Sequence, residues 1–185
     1  GSRMGAYAEY ICMKEKGVLA LKPANMTYEE AAAVPYGALM VLNLLRKIKL
    51  NAVQKVLVNG ASGGIGPAVV QLASYYGASV TGVCSSRRME YVSFLGADNV
   101  IDYTKEDFTD NGETYDYIID ILGKKSFSEY KNSLNENGRC LLVSFKMKHL
   151  FQMLWTSIFG NKKIICTLST EKAKDLVFIK KLIEE

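Results

Sequence analysis

With 185 residues, 49% of them hydrophobic and 23% charged, the chain can bury one good core and little more. A net charge of +4, with no basic cluster interleaved with aromatics, argues against a nucleic-acid partner. No apolar run is long enough to span a bilayer, and no CxxC pair accompanies the single histidine, His149, so neither a membrane span nor a zinc site is expected.

Gly1-Ser2 reads as an expression scar. Residues 6–12 and 18–21 read as two short strands with a turn between them. Two strands do not stand alone, so residues 1–26 are expected to be the tail of a domain whose body is absent. Thr27-x-x-Glu30 is a capping box opening a helix through Ala33. Pro35 disfavours helical geometry at Val34, and a second helix is expected over residues 37–47, with Leu39, Leu42, Leu44 and Leu45 inward.

Residues 55–66, KVLVNGASGGIG, are the stretch around which the rest of the chain is organised. The apolar run 55–59 has the composition of a strand buried on both faces of a parallel sheet. A glycine-dense turn comes next, and Pro67 suits the first turn of a helix, which has no use for the amide hydrogen proline lacks. In register with G-x-G-x-x-G the stretch gives Ala61, Gly63 and Gly66. Gly63 would let the backbone approach a pyrophosphate, and Gly66 would let the helix pack on the strand. The helix N-terminus would hold the phosphates.

Residues 79–84 form the next strand, and there a dinucleotide site declares its cofactor. An NAD site wants a carboxylate near the strand's end. Here Ser85-Ser86-Arg87-Arg88 comes after Cys84, and no acid occurs before Glu90. Hydroxyls and guanidinium groups suit a 2′-phosphate, which predicts NADP. Next are a helix over 89–95, a strand over 99–102, a strand over 115–121, a helix over 125–134 and a turn over 135–138. A strand over 140–144, an unusually apolar helix over 149–159, a strand over 163–167 and a final helix come last. In that final helix Ser169 or Thr170 is the expected cap, and Ala173, Leu176, Val177, Lys180 and Ile183 mark the spacing. This alternation predicts a doubly wound parallel sheet of Rossmann type over residues 27–185. The apolar 149–159 helix lacks a strong cationic face, so cover by missing protein or a second subunit is expected rather than a membrane. Cys12, Cys84, Cys140 and Cys166 are scattered, and unpaired thiols without a targeting segment fit the cytoplasm.

In order along the chain, Gly5-Ala6-Tyr7-Ala8-Glu9-Tyr10, Ala31-Ala32-Ala33-Val34-Pro35, the turn through Gly66, Leu95-Gly96-Ala97-Asp98, Val100-Ile101-Asp102-Tyr103 and the stretch 171–185 resemble the medium-chain dehydrogenase/reductase family, in its zinc-independent, quinone-reductase-like branch. The resemblance implies NADPH-dependent hydride transfer to a small-molecule quinone, enone or aldehyde, and a homo-oligomer in the full-length protein. It also implies that Ser62, Gly63, Gly64, Ile65 and Gly66 hold the pyrophosphate. Ser86, Arg87, Arg88 and Tyr103 would surround the 2′-phosphate, with Gly123, Ser144 and Phe145 near the nicotinamide. Met40 stands where many members have threonine. The family's barrel-like substrate domain would flank this stretch, so no residue here is assigned as catalytic, and Tyr36 and Tyr103 are read as packing aromatics rather than proton donors. Two other readings are a zinc-dependent alcohol dehydrogenase with its metal in the missing domain, and a non-catalytic NADP-binding sensor or interaction module. The flanking sequence separates the first, and turnover with NADPH and a quinone the second.

Overall fold

Six short strands pair into one parallel sheet in the order β3-β2-β1-β4-β5-β6. They are β1 (Lys55–Asn59), β2 (Ser79–Cys84), β3 (Asn99–Asp102), β4 (Tyr115–Asp120), β5 (Leu134–Leu142) and β6 (Lys163–Cys166). The computed structural model describes residues 8–48, 50–166 and 172–185. The helices are α1 (Tyr28–Arg46), α2 (Gly66–Tyr75), α3 (Met89–Phe94), α4 (Phe127–Tyr130), α5 (Met147–Ile158) and α6 (Ala173–Glu184).

The chain runs outward from β1 to β3, then jumps to β4 and runs outward the other way. Right-handed crossovers therefore put α2 and α3 on one face of the sheet and α4 and α5 on the other. Side-chain alternation along β1 serves both faces. Val56 and Val58 join the core that also holds Leu42, Val69, Val92 and Ile179, while Leu57 joins Phe108, Tyr130, Leu134 and Ile164. This is the doubly wound Rossmann-type sheet that the alternation of elements predicts.

Several local expectations give way. Residues 8–22 contain no strand, because their backbone edges meet no partner strand among the described residues; the start of the first expected strand lies outside them. The Thr27 capping box is present: the Glu30 amide donates to Thr27 Oγ1 at 3.2 Å, and the Thr27 amide to Glu30 Oε2 at 2.8 Å. The expected break at Pro35 is absent, and α1 runs straight through it. Proline there removes one amide donor from the helix ladder. Leu39, Leu42, Leu44 and Leu45 are all buried, as the expected second helix required.

The helix expected over 125–134 shrinks to the single turn of α4 plus a 3₁₀ turn over Lys131–Ser133. The turn expected over 135–138 lies inside β5 as a bulge, since Tyr115 pairs with Leu134 and Tyr117 with Arg139. Asn135 Nδ2 ties it to Asp116 Oδ1 at 2.9 Å. In α6 the stripe is rotated. Asp175 and Ile179 are buried and Val177 is exposed, because Arg46 Nη1 on α1 grips the buried Asp175 carboxylate at 2.6 Å. Ser169 and Thr170 lie outside the described residues.

Candidate nucleotide-binding site

β1 and β4 are neighbours whose chains leave in opposite directions, so a crevice opens at their C-terminal ends, at Asn59 and Asp120. The glycine turn forms one wall. The amides of Gly60 and Ala61 donate to Val83 O at 3.3 and 3.0 Å, and Gly63 N donates to Gly60 O at 3.2 Å, which fixes the loop. A Cβ on Gly66 would be driven into the backbone of Gly60 and Ala61, so only glycine allows α2 to start so close to β1. Gly64 has the opposite surroundings, with nothing within 4 Å of where its Cβ would be. Ser62, Gly63 and Gly64 thus present open backbone, whereas Ile65 turns its side chain into the core and can offer only its amide. No side chain caps α2 and no acidic residue stands in its first turn, which suits an anion at that end.

The ends of β2 and β3 lie side by side, with Cys84 opposite Asp102. That register brings the 3₁₀ turn Ser86–Arg88 next to Tyr103, whose amide donates to Cys84 O at 3.1 Å. Arg87 and Arg88 are exposed and form no ion pair among the described residues; Tyr103 is exposed as well.

Beneath them sits Asp102, which reading the sequence for exposed ligands did not single out. Ser86 Oγ donates to its Oδ2. Thr104 donates to its Oδ1 twice, from the amide at 3.0 Å and from the hydroxyl at 2.7 Å. These hydrogen bonds, Ser86's first, hold the carboxyl at about 2, below its ordinary value of 3.8. Ser86 therefore commits its proton to Asp102 and turns lone pairs outward. Arg87 and Arg88 are the cationic groups at this rim.

The third part of the site is the loop after β4. Asp120 is fully buried, and its Oδ1 accepts from Asn59 Nδ2 at 3.0 Å, Leu122 N at 3.1 Å and Gly123 N at 3.3 Å. Gly123 has φ +63°, and a Cβ there would meet Ser144 O at 2.7 Å. The structure thus brings Gly123 and Ser144 into contact, with Phe145 half-buried against the core behind them. Asn59 Nδ2 also donates to the Tyr130 hydroxyl at 3.4 Å. Burial, reinforced by Asp120, pushes the Tyr130 hydroxyl and the Cys140 thiol above their ordinary values, so neither is a ready proton donor. Met40 is half-buried against the α1 core, and Tyr36 is exposed.

A zinc ion finds no fit. Among the described residues no three histidine, cysteine or acidic side chains converge. His149 Nδ1 accepts from Lys146 N at 2.9 Å, and the Cys84 and Cys140 thiols are buried and raised. Open backbone at Gly63 and Gly64, with guanidinium groups one strand away that form no ion pair among the described residues, is chemistry suited to a dinucleotide's phosphates.

Residues 64–177 match the zinc-binding dehydrogenase family, more than half of the chain. The chain therefore belongs to that family, the medium-chain dehydrogenases/reductases, and within it to the quinone-reductase-like branch. It is 40% identical over 123 residues, 65% of its length, to the NADPH-dependent alkenal/one oxidoreductase, chloroplastic, of Arabidopsis thaliana, covering 32% of that protein. It is 32% identical over 98% of its length to the chloroplast envelope quinone oxidoreductase homolog of the same plant, covering 58% of it. Among solved structures, an NAD-dependent alcohol dehydrogenase superposes with a TM-score of 0.80 at 26% identity, over 98% of this chain and 55% of that one. The quinone oxidoreductase of Coxiella burnetii gives 0.79 at 23% identity, over 89% and 52%, and shows the same fold. The chain spans about a third to just over half the length of these relatives. Among the described residues no helix is long and apolar enough to cross a membrane.

Proposed function

We propose that this chain is the cofactor-holding part of an NADPH-dependent oxidoreductase that reduces a quinone, an enone or an aldehyde. The observation that carries the reading is the pairing of Cys84 with Asp102, which gathers Arg87, Arg88 and Tyr103 at one rim while the only carboxyl group on the β3 end is buried and already bonded. A 2′-phosphate would meet two free guanidinium groups there, and the ribose hydroxyls of NADH would meet no exposed carboxylate. When bound, the nicotinamide supplies the hydride.

The chain's own part is to hold and orient. The amides of the Ser62–Gly66 turn and the α2 dipole take the pyrophosphate. Asp120 keeps Leu122 and Gly123 in the conformation that lets the loop lie against Ser144, where the nicotinamide half would rest. The names of the relatives support the substrate class, two of them being oxidoreductases of alkenals and quinones. The residues that hold the substrate belong, in this reading, to the barrel-like domain on either side, with residues 1–26 its tail, and the whole protein is a homo-oligomer. The reading includes a reducing compartment such as the cytoplasm, in which four free thiols stay unpaired. Several relatives' names carry the words chloroplast envelope, chloroplastic or mitochondrial, so a reducing space inside an organelle meets the same condition.

Titrating NADPH and NADH against the wild type and an Arg87→Ala, Arg88→Ala variant tests it. A hydrogen bond to a charged group is worth about 1.5–3 kcal/mol, so the double variant should lose at least about tenfold in NADPH affinity and little in NADH affinity. Equal affinities for the two cofactors in the wild type would refute the NADP assignment. For the longer protein, failure to oxidise NADPH with any of a panel of quinones, enones and aldehydes would refute the substrate class.

A further inference from the structure

The chain leaves β4 at Asp120 and returns to the same place at Tyr130. At the departing end Asp120 Oδ1 accepts from Leu122 N and Gly123 N at 3.1 and 3.3 Å. At the returning end α4 closes on Tyr130, which is fully buried with its ring stacked on Phe108, centroids 6.0 Å apart and planes 13° from parallel. Asn59 Nδ2 donates to both anchors, at 3.0 Å to Asp120 Oδ1 and at 3.4 Å to the Tyr130 hydroxyl. Asn59 is also the last residue of β1 before the glycine turn, and its carbonyl accepts from Ile121 N at 3.1 Å. Three buried side chains thus tie the glycine turn to both ends of the loop after β4.

Phenylalanine would stack on Phe108 as tyrosine does, so packing does not call for the hydroxyl, and burying one costs free energy unless it is bonded. The polar groups this hydroxyl meets are Asn59 and Asp120. Burial and the charge of Asp120 both oppose its ionisation, so it keeps its proton. Its oxygen takes the Asn59 amide, which leaves that proton to donate. Asp120 Oδ2 is buried without a partner in full hydrogen-bond geometry, and the Tyr130 hydroxyl is the donor beside it.

We propose that Tyr130 is a positioning residue for the nicotinamide half of the cofactor: its O–H, swung onto Asp120 Oδ2, fixes the carboxyl group in the orientation in which Oδ1 holds Leu122 and Gly123. A carboxyl group turns broadly about its last side-chain bond, and one free to do so would offer Oδ1 to the loop amides only part of the time. Held at one oxygen by Asn59 and two amides and at the other by Tyr130, it has a single orientation. Gly123 then stays against Ser144, a contact so close that a Cβ would come within 2.7 Å of Ser144 O. The proposal rests on the reading of this chain as a cofactor holder and adds to it a residue shut off from solvent, whose effect on binding must run through Asp120.

Two ligands separate the halves of the site. NADPH extends from the 2′-phosphate to the nicotinamide, whereas adenosine 2′,5′-bisphosphate stops short of the second ribose and senses only the Arg87–Arg88 rim and the glycine turn. Both would be titrated into the 185-residue chain by calorimetry. Tyr130→Phe should weaken NADPH by roughly three- to tenfold, the worth of one hydrogen bond, and leave the bisphosphate within about twofold of wild type. Retained bisphosphate binding also shows that the variant folds. Asp120→Asn should weaken NADPH by roughly tenfold or more, and adding Tyr130→Phe to it should change little further, because the two side chains act as one unit. Equal loss of both ligands in Tyr130→Phe would make the hydroxyl a general support of the fold and overturn the proposal. Unchanged NADPH affinity in that variant, or additive losses in the double variant, would overturn it too, by taking Asp120 out of the path. A wild-type chain that binds neither ligand would strike the cofactor reading itself, and this proposal with it.

Discussion

Helices α2 and α5 do the same topological job, each carrying the chain between parallel strands, yet they are built in opposite senses. α2 buries Val69, Val70, Leu72 and Ala73 and leaves its open N-terminus to the crevice. α5 buries a histidine and a threonine and turns its apolar side chains out. The difference comes from the part of the sheet each helix covers. α2 lies over the middle of the sheet, where the strands bond to one another and only apolar contact is wanted. α5 lies against an edge strand, where unpaired amides demand acceptors. Hydrophobic burial sets the orientation of a crossover helix only where the backbone beneath it is already satisfied.

The largest effect that would sharpen this contrast is expected at Gly66. Gly66→Ala forces a methyl group into backbone that cannot yield as a side chain can, at a cost of about 1–3 kcal/mol or more. Urea unfolding should show the loss, and NADPH binding should go with it. Wild-type stability with full binding would mean that α2 can shift away from β1.

Ligand binding at the α2 end comes next. At a hundredfold excess of NADPH over Kd, stabilisation is about 2.7 kcal/mol. For a chain of this size that is a rise in melting temperature of about 5–11 °C. No shift with either NADPH or NADP⁺ would remove the nucleotide site. Under the proposed division of labour the same chain should bind without turning over, because catalysis needs both reactants held and only one holder is present.

On α5, Thr156→Val keeps the shape and removes the acceptor for Ile164 N, so it should cost about 1–3 kcal/mol in denaturant unfolding. If that variant is as stable as the wild type, the edge-sealing account of the inverted helix fails.

A pH test addresses the opposite edge of the sheet, where the Asp102 carboxylate at the end of β3 accepts from Ser86 Oγ and from the amide and hydroxyl of Thr104. Its folded pKa lies below the unfolded value, so its contribution is fully present above about pH 4 and is lost as pH falls toward about 2. Asp102→Asn should flatten the fall in stability over that window relative to wild type, and identical acid unfolding curves would contradict the assignment. The smallest effect is expected on the exposed face of α5. Leu154→Ser should change stability by no more than about 0.5 kcal/mol in the same assay, whereas a buried leucine would lose several times that.

Much of the fold was legible in the residues. The strand at 55–59, the glycine turn, Pro67 at the head of α2 and the Ser79–Cys84 and Asn99–Asp102 strands stand where their composition puts them. The family resemblance is what joined Tyr103 to Ser86, Arg87 and Arg88, and the pairing of β2 with β3 sets the two stretches side by side. What misled were signals that are local in sequence and were overruled elsewhere. Pro35 disfavours helical geometry at Val34 by a local clash, yet α1 continues through it. The stripe on α6 was rotated because Asp175 had to reach Arg46, far away in the chain. Asp102 escaped notice because its role is to bond to other side chains rather than to show itself.

The sequence by itself determined the class of fold and the strand, glycine turn and helix start at residues 55–75, since glycine spacing, proline placement and the two periods of apolar residues are properties of the chain read a few residues at a time. The tertiary structure alone decided which way α5 faces, that the Ser86 and Thr104 hydroxyls bond to Asp102, and that Asp120 holds the Gly123 loop. Each of those outcomes depends on a backbone amide or a carboxyl group brought in from another element, and the requirement that a buried polar group find its partner can be stated only once the partners have been placed.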